Sequence, residues 1–175
     1  MQTIQTIEQL IEALNDTEPS EQGSVLKRIE IPTADFEAYA TWKSDGYTRN
    51  CIERTNEFEL ILLCWDAEVI TPIHGHGGQD CWVYQVQGTV CEKRYAHQEG
   101  QIVETNHMEL PQGRMTYMHD RMGFHSIINP TKQRSMTLHL YASPIDECRV
   151  YNPEKESFER VELSYDSAPG ISISA

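Results

Sequence analysis

The sequence is poor in positive charge and contains no long hydrophobic run. Lys and Arg number 14 against 27 Asp and Glu in 175 residues, a formal net charge of −13. An acidic surface repels nucleic-acid backbones and anionic membranes, so no nucleic-acid or membrane partner is expected. No apolar run approaches the ~20 residues of a membrane-spanning helix. The N-terminal stretch carries Glu8 and Glu12 without a basic segment, so it is not expected to be a secretory signal.

The sequence also lacks the cysteine patterns of disulfide-rich and zinc-finger proteins. Its cysteines are Cys51, Cys64, Cys81, Cys91 and Cys148, an odd number without a C-x-x-C pair. This argues against a disulfide framework or a structural zinc site, and it favours the reduced environment of the cytoplasm. Most of these cysteines are expected to be small, buried apolar residues.

The composition is that of one globular domain spanning 1–175. Hydrophobic residues make up 39% of the chain, and the mean hydropathy is −0.54. A chain of this length buries a sizeable core. We expect an N-terminal helical segment at 1–45, a barrel at 46–166 and a loosely held tail at 167–175. A monomer is expected.

Hydrophobic periodicity predicts two short helices near the N-terminus. Thr6 and Gln9 are spaced as a capping box, and apolar residues follow at helical spacing. A second helix is predicted at 33–42, where apolar side chains share one stripe. The polar segment between the two helices, 15–24, is predicted to be a loop.

After residue 51 the pattern changes to short strands separated by turns. Residues 58–65 form a compact apolar run, which is typical of a buried strand. Two runs that flank Gly88, 81–86 and 89–95, predict a hairpin. Further strands are predicted at 108–110, 114–119, 125–128, 136–142 and 158–164. Many short strands with turns between them indicate a mainly β sandwich or barrel.

Three histidines have the spacing of a metal site. In an extended strand, residues i and i+2 point to the same face, so His74 and His76 are expected to project two imidazoles into one space. His125 is far enough away in sequence to come from a facing strand. Imidazole ligands suit iron, copper, zinc and nickel, so convergence of the three predicts a transition-metal site.

The order of residues around these histidines resembles the cupin family. His74-x-His76, four residues, Cys81, six residues and Gly88 follow the first cupin block, with cysteine where many cupins place a glutamate ligand. The second block is matched by His125 to Asn129. The resemblance implies a small cupin jelly-roll β-barrel with the metal inside.

Asp80 offers an alternative ligand. It lies three residues after His76, a spacing that some cupins use for an acidic ligand, and two histidines with one carboxylate often bind non-haem iron. Gly88 keeps its expected distance when counted from Cys81, which favours three histidines and a solvated Asp80. Three other histidines are not assigned to metal. His97 and His107 are expected at the surface, and His119 is expected at the surface or next to the site.

A longer set of motifs resembles cysteine dioxygenase. The matching segments are 46–50, 62–65, 74–76, 123–125 and 138–141, the last followed by Ser-Pro at 143–144. Their order and spacing match across roughly 47–165. The resemblance implies an iron(II)-dependent dioxygenase that oxidises the thiol of L-cysteine with O2 to cysteine sulfinic acid.

The resemblance implies a substrate site around the metal. Carried over residue by residue, Fe(2+) is bound by His74, His76 and His125. Arg49 takes the position of the arginine that binds the substrate carboxylate, and Tyr47 that of a tyrosine that helps to hold the substrate. Guanidinium binds carboxylate through two parallel hydrogen bonds. Three neutral ligands leave iron(II) its full charge and three open positions for substrate and O2.

The resemblance also implies four further positions. Tyr141 is the active-site tyrosine, and His139 is the histidine that hydrogen-bonds it. Cys81 takes the place of the cysteine that forms a thioether with this tyrosine in animal enzymes, where many bacterial relatives have glycine. Cys148 matches a cysteine near the pocket mouth.

Three other functions remain open from the sequence. A 3-mercaptopropionate dioxygenase shares the three-histidine site, but such enzymes commonly have glutamine at the Arg49 position and lack a cysteine at the Cys81 position. A non-enzymatic, metal-binding cupin would use the barrel as a binding module. A zinc- or nickel-loaded isomerase is a third alternative, since fold alone does not determine function.

Overall fold

The computed structural model describes residues 2–98 and 100–168. Most of the predicted loose tail at 167–175 therefore lies outside the described residues. Its first residue is held in place, because Ser167 forms a parallel bridge with Asn50 and accepts a hydrogen bond from the backbone N–H of Cys51 at 2.8 Å.

In the described part of the chain, short helices precede ten β-strands, and one 3-10 turn lies among the strands. The helices are α1 (Ile7–Asn15), α2 (Gln22–Leu26) and α3 (Thr33–Phe36), with 3-10 turns at Pro19–Glu21, Glu37–Tyr39 and Asp120–Met122. The strands are β1 (Tyr47–Arg54), β2 (Glu59–Trp65), β3 (Cys81–Gln87), β4 (Thr89–Gln98), β5 (Gln101–Pro111), β6 (Met115–Met118), β7 (Phe124–Ile128), β8 (Ser135–Tyr141), β9 (Glu147–Asn152) and β10 (Ser157–Glu162). Within 2–98 and 100–168, no helix is long and apolar enough to cross a membrane.

The strands form three sheets. The main sheet has the order β1-β2-β8-β3-β6, the second sheet has the order β5-β4-β7, and β9 and β10 form the C-terminal hairpin. The segment at 73–75 lies between β7 and β9, because Gly75 donates its backbone N–H to Arg149 and His74 exchanges backbone hydrogen bonds with His125. The mainly β, jelly-roll prediction is confirmed. The sheets do not close into one continuous barrel.

Strand β2 lies between the two hydrophobic clusters that form the core. All seven of its residues are buried, because the N-terminal helices cover one face of the main sheet and the second sheet faces the other. Leu60 and Leu62 belong to the cluster on the helix side. Ile61, Leu63 and Trp65 belong to the cluster on the opposite side, where the site lies. A strand covered on both faces reads as a continuous apolar run.

The predicted hairpin around Gly88 is wrong. β3 pairs with β6 and β8 of the main sheet, whereas β4 pairs with β5 and β7 of the second sheet. Gly88 has a φ of 74°, and Oγ of Ser135 donates to the carbonyl of Gln87 at 2.7 Å. The chain therefore turns a corner between the sheets at this glycine instead of folding back on itself.

The first helix matches its prediction more closely than the other two. Oγ1 of Thr6 accepts a hydrogen bond from the backbone N–H of Gln9 at 3.2 Å, as in a capping box. The reciprocal bond is different from the expected one, because the Gln9 side chain accepts from Gln5 instead of Thr6. The Gln9 side chain therefore binds the backbone N–H one residue before the expected one.

The second predicted helix is too long. α3 ends at Phe36, and after a short 3-10 turn Ala40 is extended. The next residue, Thr41, donates through Oγ1 to Oδ1 of Asn50 on β1. This pairing draws the chain toward the main sheet and overrides its local helical preference.

The loop predicted at 15–24 is wrong in its second half. α2 begins at Gln22, and Gly23 packs so closely against β3 that a Cβ atom there would lie 2.2 Å from Nε1 of Trp82. Gly23 is therefore the point at which this helix contacts the main sheet.

Seven predicted strand segments correspond to strands, two strands were not predicted and one is much longer than expected. The segments at 58–65, 81–86, 89–95, 114–119, 125–128, 136–142 and 158–164 fall on β2, β3, β4, β6, β7, β8 and β10. β1 and β9 carry too many polar residues for a clear alternation. β5 has eleven residues, mostly exposed, and only 108–110 was predicted. All five cysteines are free thiols, and four are buried, as expected.

Candidate metal centre and substrate cavity

Three histidines converge at the edge of the second sheet. The ligand nitrogens of His74, His76 and His125 all lie within 4.8 Å of one another. His125 is on β7, as predicted. His74 forms only an isolated bridge beside it, with N–O distances of 2.8 and 3.0 Å, and His76 follows in a loop. The expectation of an H-x-H strand facing His125 is therefore wrong: His74 is its backbone neighbour.

In two of these histidines, hydrogen bonds determine which ring nitrogen carries the proton. Nδ1 of His74 lies 2.9 Å from the carbonyl oxygen of Pro72, which can only accept, so Nδ1 carries the hydrogen. Nδ1 of His125 lies 2.7 Å from Oε1 of Glu92. In both rings Nε2 is left with its lone pair directed to the shared centre.

The third ring completes the set. Nε2 of His76 lies 3.0 Å from Nε2 of His125, and Nδ1 of His76 is buried without a hydrogen-bond partner among the residues described. Two ring nitrogens that are each about 2.1 Å from one ion and bind at right angles are separated by about this distance. The donor set therefore fits a transition metal.

Burial keeps the three rings neutral. It lowers the pKa of His74, and it lowers the pKa of His76 and of His125 well below the usual value. The neighbouring imidazoles add to the effect on His76 and His125, and the charge of Arg49 adds to it on His74. A neutral imidazole is the form that binds a metal.

Glu92 is a part of the centre that sequence reasoning missed. It is 1% exposed on β4, where one carboxylate oxygen contacts His125 and the other accepts from Thr116 Oγ1 at 2.8 Å and from Arg94 Nη2 at 3.1 Å. Arg94 also donates to the carbonyl of Tyr117 at 2.8 Å. The available signal was Glu92 and Arg94 at i and i+2, which places both on one face of a strand.

A cavity of about 190 Å³ lies beside the histidines, between the main sheet and the C-terminal hairpin. Most of its lining is apolar, and a few polar groups converge in it. The apolar side chains include Leu63, Ile127, Ile145, Val150 and Leu163. The polar side chains include Tyr47, Arg49, His74, His76, His139 and Tyr141. This combination is typical of a small-molecule site.

Arg49 supplies a positive charge to the cavity. Its backbone is fixed at both polar atoms, because the N–H donates to Oδ2 of Asp166 and the carbonyl accepts from the N–H of Asp166, each at 2.8 Å. Nη2 is buried and has no hydrogen-bond partner within 2–98 and 100–168. Tyr47, two residues earlier on the same face, stacks obliquely on Trp65 with ring centroids 5.1 Å apart. Burial raises the pKa of Tyr47.

Cys81 and Tyr141 face each other across β3 and β8, where they are register partners. Burial raises the pKa of the Cys81 thiol, and it raises the pKa of the Tyr141 hydroxyl well above its usual value. Both groups therefore keep their protons at neutral pH. The pair lies beside the metal centre, since the rings of Tyr141 and His76 are 5.7 Å apart.

His139 has a different partner from the expected one. Its Nε2 lies 2.9 Å from Oγ1 of Thr137, and its ring centroid is 6.4 Å from that of Tyr141. Nδ1 is buried and is unpaired within the described part of the chain, so the bond to Tyr141 is not formed. Trp65 donates through Nε1 to the same Thr137 oxygen at 2.8 Å. The threonine hydroxyl is satisfied when it donates to Nε2, which leaves the imidazole proton on Nδ1.

Comparisons with known proteins identify the family. The family model described as "Cysteine dioxygenase type I" matches residues 1–154. The chain belongs to this family. Cysteine dioxygenase type 1 of Homo sapiens is 26% identical over 156 residues, which cover 86% of this chain and 78% of the human protein. The Danio rerio protein of the same name is 24% identical over 178 residues, which cover 95% and 89% of the two chains.

One solved structure supports the fold alone. A crystal structure of a Thermus thermophilus protein matches with a TM-score of 0.52 and 16% identity, and covers 62% of this chain and 94% of the other. Family membership adds the chemistry: as a type I cysteine dioxygenase family member, the chain is an oxidoreductase of the thiol dioxygenase class.

The other residues named from the sequence lie outside the histidine cluster. Asp80 is not in the histidine cluster, and it is hydrogen-bonded instead of merely solvated, because it accepts the hydroxyl of the exposed Tyr117 at 2.5 Å. Cys148 lines the cavity and is 6% exposed. His97 and His107 are exposed, as expected, and Nδ1 of the half-buried His119 accepts from the N–H of Arg121 at 3.0 Å.

Proposed function

We propose that this protein is an iron(II)-dependent cysteine dioxygenase that converts L-cysteine and O2 to cysteine sulfinic acid. The observation that carries the proposal is the buried Nη2 of Arg49, which has no hydrogen-bond partner within 2–98 and 100–168 and belongs to a cavity that His74 and His76 also line. A buried cation requires an anionic partner. An amino acid whose carboxylate pairs with Arg49 has its thiol at the other end, within the small cavity that the histidines line.

Arg49 binds and orients the substrate. Its guanidinium is always charged, and its planar fork matches the two oxygens of a carboxylate. The backbone bonds to Asp166 hold β1 in place, so the fork keeps its position when the substrate enters. Tyr47 lies two residues away on the same face and packs on Trp65, which makes it a rigid side of the carboxylate site.

His74, His76 and His125 would hold the iron. Iron(II) bound there supplies the positive charge that deprotonates the substrate thiol and a site for activating O2. The histidines bring no charge of their own, because burial keeps them neutral. Pro72 and Glu92 keep the two fixed rings in the tautomer that presents Nε2.

Tyr141 and His139 hold protons at the cavity wall. The raised pKa keeps the Tyr141 hydroxyl protonated, so it acts as a hydrogen-bond donor to the reacting atoms. Burial and the nearby charge of Arg49 lower the pKa of His139 to about 3, so its ring is neutral. With Thr137 at Nε2, the proton of His139 is on Nδ1, which is buried and has no hydrogen-bond partner among the described residues.

The apolar lining excludes water from the reaction. Leu63, Ile127 and Val150 surround the polar groups, which strengthens every electrostatic contact inside the cavity. In the overall reaction both oxygen atoms are added to the cysteine sulfur, which gives up four electrons and reaches the sulfinic acid level. No external reductant is needed.

We also propose a thioether between Cys81 and Tyr141. The new bond joins Sγ to a ring carbon, and the two residues lose two protons and two electrons, which O2 accepts. Their direct pairing across β3 and β8 supports this bond. It would fix the ring of Tyr141 beside His76.

An oxygen-electrode assay tests the function. Protein loaded with Fe(2+) is expected to consume one O2 per L-cysteine, and 18O2 is expected to label both oxygens of the sulfinate product. The comparison substrate is 3-mercaptopropionate, which shares the thiol and the carboxylate but lacks the amine. No oxygen uptake with either thiol would refute the dioxygenase activity, and a strong preference for 3-mercaptopropionate would refute the choice of cysteine.

A further inference from the structure

The loop that carries His76 is held by a carboxylate from another part of the chain. Oδ1 of Asp120 accepts the backbone N–H of His76 at 2.6 Å, and Oδ2 accepts the backbone N–H of Gly78 at 2.9 Å. His76 belongs to no strand. Its backbone N–H therefore depends on the Asp120 side chain for the partner that a sheet would otherwise provide.

The close approach of Asp120 explains the glycine of the His-Gly-His motif. A Cβ atom at Gly75 would lie 2.9 Å from Oδ1 of Asp120 and 3.4 Å from Cδ1 of Phe124. Gly75 does not have a positive φ, so its backbone conformation does not require glycine. Glycine is needed because the Asp120 carboxylate occupies the space that a side chain at position 75 would fill.

Asp120 is rigidly connected to another metal-binding histidine. It starts the 3-10 turn Asp120–Met122, which leads through Gly123 directly into β7 and His125. Gly123 has a φ of 104°, and a Cβ atom there would lie 2.2 Å from the carbonyl oxygen of Tyr95 on β4. The turn is therefore pressed against the second sheet, and little movement is available to the carboxylate.

We propose that Asp120 is a positioning residue for the metal centre. By joining the loop of His76 to the segment that leads into His125, it sets the separation of two ligands that share no strand pairing. The proposal rests on the metal site of the proposed function but not on the identity of the thiol. It predicts that loss of the carboxylate weakens metal binding more than the loss of equivalent hydrogen bonds elsewhere.

The test measures the dissociation constant for Co²⁺ by titration of metal-stripped protein, together with the visible absorption of the bound ion. Asp120→Ala is expected to raise the dissociation constant about 10–100-fold, the usual effect of losing a group that orients metal ligands. Asp120→Asn keeps one acceptor oxygen but turns an NH2 group toward one of the two backbone donors, so an intermediate loss and a changed spectrum are expected.

Thr55→Ala is the matched control. Oγ1 of Thr55 accepts two backbone N–H groups, from Glu57 at 3.1 Å and from Phe58 at 3.0 Å, in the turn between β1 and β2. Oγ1 also donates to the carbonyl of Phe58 at 3.3 Å, so its removal costs three side-chain to backbone bonds away from the histidines, one more than Asp120→Ala costs. It is expected to lower the unfolding temperature without changing the Co²⁺ affinity or spectrum.

Gly75→Ala provides a second, independent measurement. Alone it is expected to weaken Co²⁺ binding, because the new methyl group collides with Oδ1 of Asp120. In the Asp120→Ala background the collision is gone, and the same substitution is expected to have little further effect. If Asp120→Ala fails to fold, the cycle is made with Asp120→Asn, in which the collision and its penalty persist.

Three results would overturn the proposal: wild-type affinity in Asp120→Ala or Asp120→Asn, an equal loss in Thr55→Ala, or a Gly75→Ala penalty that is the same in the wild-type and Asp120→Ala backgrounds. Cysteine oxidation is not the readout. A wild-type protein that binds Co²⁺ as expected but never oxidises cysteine would refute the proposed function and leave the role of Asp120 standing.

Discussion

Oε1 of Glu92 lies 2.7 Å from Nδ1 of His125, and each side chain is only 1% exposed. The carboxylate orients the ring and increases its basicity as a ligand. In Glu92→Gln the negative charge is lost, and Arg94 loses its ion-pair partner. The metal dissociation constant, measured by titration of stripped protein, is expected to rise about 10–100-fold.

Glu104→Gln is the control for that substitution. Glu104 is on the neighbouring strand β5, is 42% exposed and pairs with Lys93 at 3.1 Å. It loses the same charge at a distance from the histidines. A similar change of metal affinity in both variants would mean that net charge, not the contact with His125, determines the binding.

Arg49→Ala is expected to weaken substrate binding without removing the metal. The substrate carboxylate would lose its charged partner in a buried site, a loss of about 2–5 kcal/mol that corresponds to a roughly 30-fold or larger increase in KM for L-cysteine. Steady-state kinetics and metal analysis of the same samples measure both quantities. Cysteamine, which has no carboxylate, should react equally slowly with both proteins. An unchanged KM for L-cysteine would place the carboxylate elsewhere.

The hydroxyl group of Thr137 is expected to support catalysis by orienting His139. In Thr137→Val both Nε1 of Trp65 and Nε2 of His139 lose their partner, and an unpaired buried polar group costs about 1–3 kcal/mol. With the orientation of His139 no longer fixed, kcat should fall about tenfold while the iron content stays the same. Thr137→Ser restores the hydroxyl and should restore kcat. A serine variant as slow as the valine variant would point to packing instead.

The thioether is tested by mass spectrometry after turnover with Fe(2+), L-cysteine and O2. A fraction of the protein should become lighter by two hydrogen atoms, and tryptic digestion should yield one peptide that links Cys81 to Tyr141. Cys81→Ser and Tyr141→Phe are expected to remove or alter this product, whereas Cys91→Ser, on β4, should keep it. After turnover, a mass equal to that of the unmodified sequence together with no linked peptide would rule the bond out.

The metal-free protein should lose stability on mild acidification. Histidine in the unfolded chain has a pKa near 6.5, whereas burial lowers the pKa of His139 to about 3 and also lowers that of the three ligand histidines. Below pH 6.5 the unfolded chain binds protons that the folded chain does not. The free energy of unfolding should therefore decrease by up to about 1.4 kcal/mol per pH unit for each histidine.

Urea denaturation between pH 7.5 and 5 measures that slope. His139→Gln removes one of the four groups and should make the slope shallower, whatever it does to stability at pH 7.5. His97→Gln, at an exposed position, should leave the slope unchanged. Equal slopes in all three proteins would show that other groups cause the acid sensitivity.

The residues that a local motif marks were predictable from sequence. His74, His76 and Arg49 were expected at one site because their neighbours and spacing carry the resemblance, and all three line the same cavity. β2 was recognised because a strand covered on both faces has no polar alternation. The geometry between them was not predictable. His74 was expected to face His125 and is instead hydrogen-bonded to its backbone.

The supporting residues were missed because their roles depend on contacts that are distant in sequence. Glu92 is 33 residues from His125, Thr137 is 72 residues from Trp65, and Asp120 is 44 residues from His76. Each is an ordinary polar residue in its own segment. The Gly88 corner was mistaken for a hairpin for the same reason, since only the pairing of β3 and β4 with other strands distinguishes the two.

The C-terminal hairpin is attached to the segment that contains His74, because Gly75 and Tyr151 donate backbone hydrogen bonds to Arg149 and Ile73 across that edge. Its side chains Val150 and Val161 form one side of the cavity. An ion that immobilises His74 must therefore slow amide hydrogen exchange in β9. Conversely, anything that detaches the hairpin must weaken the binding of that ion. The wall that encloses the substrate and the affinity for the metal are thus thermodynamically linked.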